Sequence, residues 1–164
     1  MNRPAPPFRD VLTLLGQLNY TWTNTESLLI HLIAGLAGVD KETATIIFLT
    51  LNTTRARVDL VERLAKMART PPPVRKDVLD VTRKMMAEAK LRNKYNHCIY
   101  SFDDTGDNVS TLLMRVSETG DQLRYGKMDA IDADEISNIT RSIGRLAQTN
   151  RDIWALARRH GFPL

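Results

Sequence analysis

Apolar residues return at helical intervals along most of this chain. From about Arg9, the residues Val11, Leu14, Leu15, Leu18, Trp22, Leu29, Leu32, Ile33 and Leu36 keep the three-to-four-residue spacing of one helix face. That pattern predicts a single long first helix, fraying at Gly35 and Gly38. Asp40 is placed to cap a second helix, Lys41 to Leu51, because a carboxylate there can accept from the free N–H groups of the first turn. Asn52 to Thr54 offers the next cap. A third helix then carries Val58, Val61, Leu64, Ala65 and Ala68 on one side and stops at Pro71-Pro72-Pro73. A fourth runs from about Val74, with Val78, Val81, Met85, Ala89 and either Tyr95 or Ile99 facing inward.

The period then changes. Asp103 to Asn108 is a polar loop. Leu112, Met114 and Val116 alternate with Leu113, Arg115 and Ser117, the two-residue period of a strand. With Gln122 onward and the turn residues Thr119-Gly120-Asp121, this predicts a β-hairpin over about 111–130. Asp132, with Glu135 three residues on, opens a last helix through Ile136, Ile139, Ile143, Leu146, Ile153 and Leu156. Pro4, Pro6 and Pro7 make residues 1–8 a flexible tail. The expected organisation is therefore one mainly α domain, 9–162, an up-down bundle of about five helices with a hairpin inserted before the last.

Composition narrows the class. With 164 residues, 43% hydrophobic and 26% charged, the chain is long enough to bury a core and is not of disordered composition. Its one cysteine, Cys98, excludes an internal disulfide framework and a cysteine zinc cluster, which favours a reducing cytoplasm. The longest apolar run, Leu28 to Val39, contains His31 and is too short to span a bilayer, so no membrane partner is expected. Three scattered histidines lack metal-site spacing, and no cofactor motif is present. His31, in an apolar stretch, reads as a core or interface residue. A net charge of +4 permits nucleic-acid binding without requiring it.

The chemistry worth pursuing lies in Arg92-Asn93-Lys94-Tyr95-Asn96-His97. A guanidinium holds phosphate and an imidazole moves protons near neutral pH, which together suffice to cut RNA without a metal. On a regular helix, Arg92 and His97 would stand about 140° apart and Asn93 and His97 about 40° apart. One copy would not aim both Arg92 and His97 at one phosphate unless the helix is distorted there. Two copies about a two-fold axis would bring both pairs to one cleft. The broad apolar stripes of the first and last helices, including Trp22 and Trp154, also favour a dimer.

The segment resembles the RNxxxH motif of the HEPN superfamily, small helical domains that include many prokaryotic ribonucleases. A Trp-then-Glu pair, here Trp22 and Glu26, also looks like helical HEPN relatives. Members often carry a small residue before the histidine and glycine after it, where this chain has Asn96 and Cys98. The resemblance implies a homodimer with a shared site acting as a metal-independent endoribonuclease. His97 would do acid–base work, Arg92 would hold the phosphate and Asn93 would position. Lys90 and Lys94 would hold flanking phosphates, and Tyr95 would either stack on a base or pack in the core. It also implies a toxin–antitoxin or phage-defence role, with an antitoxin-like protein as partner. Glu26 could orient a catalytic residue, although a plain surface carboxylate is the simpler reading. Arg55, Arg57, Asp59 and Glu62 read as a mixed solvated face. The alternative function is a non-catalytic helical homodimer that binds a protein or nucleic acid, with the hairpin offering an edge.

Overall fold

A computed structural model describes residues 8–106 and 108–164. The tail expected at 1–8 lies outside them except for Phe8, which begins a helix. In chain order the elements are α1 (Phe8–Ser27), α2 (Leu29–Ala37), α3 (Lys41–Thr50), α4 (Thr54–Ala65), α5 (Pro72–Ala87) and α6 (Ala89–Asn96). The strands β1 (Cys98–Phe102), β2 (Val109–Leu113), β3 (Val116–Thr119), β4 (Gln122–Tyr125) and β5 (Met128–Ala130) follow, and α7 (Ala133–Arg159) closes the chain. The protein is mainly helical, with a small antiparallel sheet before the last helix.

Two of the expected helices are each interrupted once. The first breaks at Leu28, whose N–H donates to Thr25 O at 3.2 Å in a tight i→i−3 turn. Thr25 Oγ1 and Ser27 Oγ donate to backbone carbonyls of the same turn, a pattern that bends helices. The fourth breaks at Glu88, which takes both Nε and Nη2 of Arg145, at 2.5 and 2.9 Å. The expected caps form. Asp40 Oδ1 accepts from Thr43 N at 2.7 Å, Thr53 Oγ1 from Ala56 N at 3.1 Å, and Asp132 Oδ1 from Glu135 N at 2.9 Å. Pro72 and Pro73 occupy the first turn of α5, where a missing N–H costs nothing.

The expected hairpin is present but divided. Leu112 faces Met128 in the β2–β5 pairing and Val116 faces Tyr125 in the β3–β4 pairing, with the ladder broken between them. A Cβ on Gly126 would lie 2.2 Å from Leu113 O, so the two chains approach at the break as only glycine allows. Gly120, at φ +59°, begins the two-residue turn between β3 and β4.

One strand was not expected. Residues 98–102, read as the end of the fourth helix, form β1 and pair antiparallel with β2. Tyr95 and Ile99 are four apart, which suits a helix, but Ile99-Tyr100-Ser101-Phe102 is also aromatic and β-branched. Its pairing with β2 across the polar loop decides the matter. Ile99 is exposed, not inward-facing.

Contacts group the described residues into two compact units, 8–20 with 89–106 and 108–143, and 21–88 with 144–164, so α1 and α7 contribute to both. In the first unit the buried side chains include Val11, Leu15, Leu18, Tyr95, Cys98, Val109, Ile131 and Ile139. In the second they include Trp22, Leu29, Leu32, Ile33, Val58, Val61, Met85, Leu146 and Ile153. Trp22 is buried within the chain itself, so it gives no argument for a dimer. His31 is the core residue expected: its Nδ1 donates to Pro163 O at 2.7 Å and its ring leans on Trp154. Among the described residues no helix is long and apolar enough to cross a membrane.

Candidate functional site

The six-residue motif straddles a junction between helix and strand. The last helical bond runs from His97 N to Asn93 O at 3.1 Å, and α6 ends at Asn96. His97 O then accepts from Met114 N at 3.1 Å, so the residue that leaves the helix also begins the ladder with β2. His97 is exposed, and its imidazole has no hydrogen-bonding partner among the described residues. The regular-helix angle between Arg92 and His97 therefore does not apply.

Arg92 is half-buried and held by asparagines. Its Nη1 donates to Asn93 Oδ1 at 3.1 Å. With the Asn96 amide oriented by its neighbours, the Asn96 oxygen accepts from Arg92 Nε and Nη2 at 2.9 and 3.0 Å, while its nitrogen donates to Asn19 Oδ1 at 2.8 Å. A planar guanidinium gripped on two nitrogens by one amide is restricted in rotation. Asn93 touches Arg92, as its positioning role would need. Lys90 is exposed on the same helix.

Lys94 and Tyr95 turn elsewhere. Lys94 Nζ lies 2.7 Å from Glu135 Oε1 and 3.6 Å from Asp129, so its charge is engaged in ion pairs within the chain. Tyr95 is 4% exposed and its hydroxyl donates to the same Glu135 oxygen at 2.5 Å. Of the two roles open to it, the core one holds, and no base can stack on a buried ring. Burial, reinforced by the Glu135 carboxylate, pushes the Tyr95 phenol well above its ordinary range. Burial works against ionisation of Glu135 too, but hydrogen bonds from Lys94 and Tyr95 outweigh it and hold that carboxyl below its usual value. The sequence offered Glu135 only as a capping residue. Its buried partners come from α6, 40 positions away in the case of Tyr95, and no local pattern announces them.

The reading of Glu26 as a surface carboxylate is corrected. It is 7% exposed, and it accepts from Trp22 Nε1 at 3.2 Å, Thr54 Oγ1 at 2.7 Å and Arg57 Nη1 at 2.9 Å. Arg57 thus belongs to a buried pair and not to a solvated face. Among the described residues no group of three His, Cys, Asp or Glu side chains could hold a metal ion.

No protein-family model matches the chain, and neither does any curated protein or solved structure with which it was compared.

Proposed function

We propose that this chain is a metal-independent endoribonuclease of the HEPN type, working as a homodimer. The observation that carries the reading is His97: an exposed imidazole at the first residue beyond α6, with an arginine held by two asparagines five residues before it. His97 takes the proton of a ribose 2′-hydroxyl, and the oxygen attacks the adjacent phosphorus. Arg92 stabilises the charge that grows on the non-bridging oxygens. The bond to the 5′ oxygen breaks, leaving a 2′,3′-cyclic phosphate and a 5′-hydroxyl. Asn93 and Asn96 fix the guanidinium, and Lys90 is the remaining lysine of the motif region open to a flanking phosphate. A cytoplasmic setting, a toxin–antitoxin or phage-defence role and an antitoxin-like partner belong to the same proposal and rest on the motif's resemblance.

The test is cleavage of a labelled, structured RNA in EDTA by the parent protein beside Arg92→Ala and His97→Ala. Cleavage by the parent alone, leaving cyclic-phosphate ends, supports the reading. Equal cleavage by all three refutes it.

A second reading is favoured by the hairpin. Every residue of β3 and β4 is exposed, and Val116, Leu123 and Tyr125, each more than half exposed, share one face of it. An isolated two-stranded hairpin that exposes three large apolar residues, beside Glu118 on the same face, is marginal in water, which suits a non-catalytic module that binds a protein there. On that reading His97→Ala leaves binding intact and no RNA is cut.

A further inference from the structure

Cations are unevenly shared along the chain. Residues 21–88 with 144–164 hold 14 Lys and Arg against nine Asp and Glu, whereas 8–20, 89–106 and 108–143, which carry the motif, hold eight against nine. Five of the 14, Arg63, Lys66, Arg69, Arg75 and Lys76, fall at the end of α4, the turn after it and the start of α5, with no carboxylate between residues 63 and 76. Backbone carbonyls hold two of them. Arg75 donates from Nε to Ala65 O at 3.2 Å and from Nη2 to Met67 O and Thr70 O at 3.4 and 3.5 Å. Arg69 donates from Nη2 to Leu36 O and Ala37 O, at 3.2 and 3.1 Å, where α2 ends. A carbonyl orients a guanidinium but carries no full charge to cancel it, so both stay positive and fixed in place. Arg63, Lys66 and Lys76 are exposed, and of these only Lys66 has an acidic neighbour among the described residues, Glu62 at 3.9 Å. Asp77, next in the chain, is taken by Arg159 and His160. The same turn borders a cavity of about 360 Å³. Arg69, Thr70, Val74 and Leu36 line it, together with Phe162, whose ring rests on Gly35 so closely that a Cβ there would lie 2.1 Å from it.

We infer that this turn binds a single strand of RNA, with backbone phosphates on the five cations and one base in the cavity against Phe162. Two features select that ligand together. The cations answer a run of phosphates, and an aromatic-walled cavity answers an unstacked base, which a single strand alone offers beside its charge. An acidic peptide brings the charge without the base, and a duplex keeps its bases stacked. The unit that carries the motif has no excess of cations, so the attraction for a polyanion comes from this other unit. The inference deepens the proposed function by naming how its substrate is held. It rests on that reading only for the choice of RNA over DNA.

Fluorescence anisotropy of a labelled uridine dodecamer tests it, on the full chain carrying His97→Ala so that the strand stays whole. Arg63→Gln, Lys66→Gln and Lys76→Gln together should weaken binding roughly tenfold or more and lower its salt slope by about two units, with circular dichroism unchanged. A matched triple, Arg115→Gln, Arg124→Gln and Arg141→Gln, removes the same charge elsewhere and should bind nearly as before. Equal losses in the two triples, or none in the first, overturn the inference. So does polyglutamate that competes as well as the RNA, or a deoxyuridine strand that binds markedly tighter. An abasic strand should bind less tightly than the uridine strand, and Val74→Trp, which fills the cavity, should erase that difference. Equal affinity for the two strands before that substitution overturns the inference, whether or not the tryptophan variant folds. Because binding and cleavage are read separately, a chain that holds RNA at this turn and never cuts it refutes the nuclease chemistry and keeps this surface. Cleavage by a parent whose affinity the first triple leaves unchanged does the reverse.

Discussion

The hydroxyl of Tyr95 and the ammonium of Lys94, neighbours on α6, converge on a single oxygen of Glu135 in the first turn of α7. Two of the motif's six side chains are thereby turned inward. Only Arg92, Asn93, Asn96 and His97 remain for the outside.

Acid should expose this arrangement. Glu135 is held below its ordinary value in the folded protein, so its contribution is complete above about pH 4.5, the unfolded value, and is lost as the pH falls through the depressed folded value. Thermal melts of the parent and Glu135→Gln should therefore differ near neutral pH and converge once the pH has fallen below that depressed value. A gap that stays constant with pH would contradict the assignment. Tyr95→Phe should cost about 1–2 kcal/mol by leaving a buried acceptor short of one donor.

The two lysines should separate cleanly. Lys94→Gln should lower stability by up to about 1 kcal/mol, as expected of a partly exposed ion pair, and leave RNA affinity nearly unchanged. Lys90→Gln should do the opposite, weakening RNA binding with no change in the melt. Filter binding at two salt concentrations, beside urea unfolding, reads both.

Asn96 offers a test of positioning. Asn96→Ala removes the amide that grips Arg92 on two nitrogens, so RNA cleavage should fall by up to roughly a hundredfold. Stability should move by less than about 0.5 kcal/mol because Asn96 is exposed. Asn96→Asp, which keeps an acceptor facing the guanidinium, should retain more activity than the alanine. A merely structural asparagine would not produce that order.

Glu26 should matter for folding. Its carboxylate is buried against Arg57, and removing one member of such a pair leaves the other charge unmatched, at a cost of about 3–5 kcal/mol. Urea unfolding of Glu26→Ala should show a loss in this range. A loss below about 1 kcal/mol would return Glu26 to the solvated surface first expected of it.

Periodicity and capping chemistry are local, and they located most of the helices in advance. Asp40, Thr53 and Asp132 cap where a short polar side chain precedes an apolar run, and Gly120 turns where a two-residue hairpin loop needs positive φ. The motif from Arg92 to His97 was legible for the same reason, as a spacing within six residues. What depends on distant partners was not. Residues 98–102 form a strand because β2 lies across a loop to receive them, although Tyr95 and Ile99 keep a helical interval. Tyr95, Lys94, Glu26 and Arg57 are buried or paired through partners from other elements, and an isolated stretch of sequence cannot reveal which face of a helix another element will cover. The sequence by itself therefore determined the element types, the caps and the candidate chemistry. Tertiary structure alone decided which motif residues reach solvent and that His97 stands outside the helix, because burial and strand pairing join residues far apart in the chain.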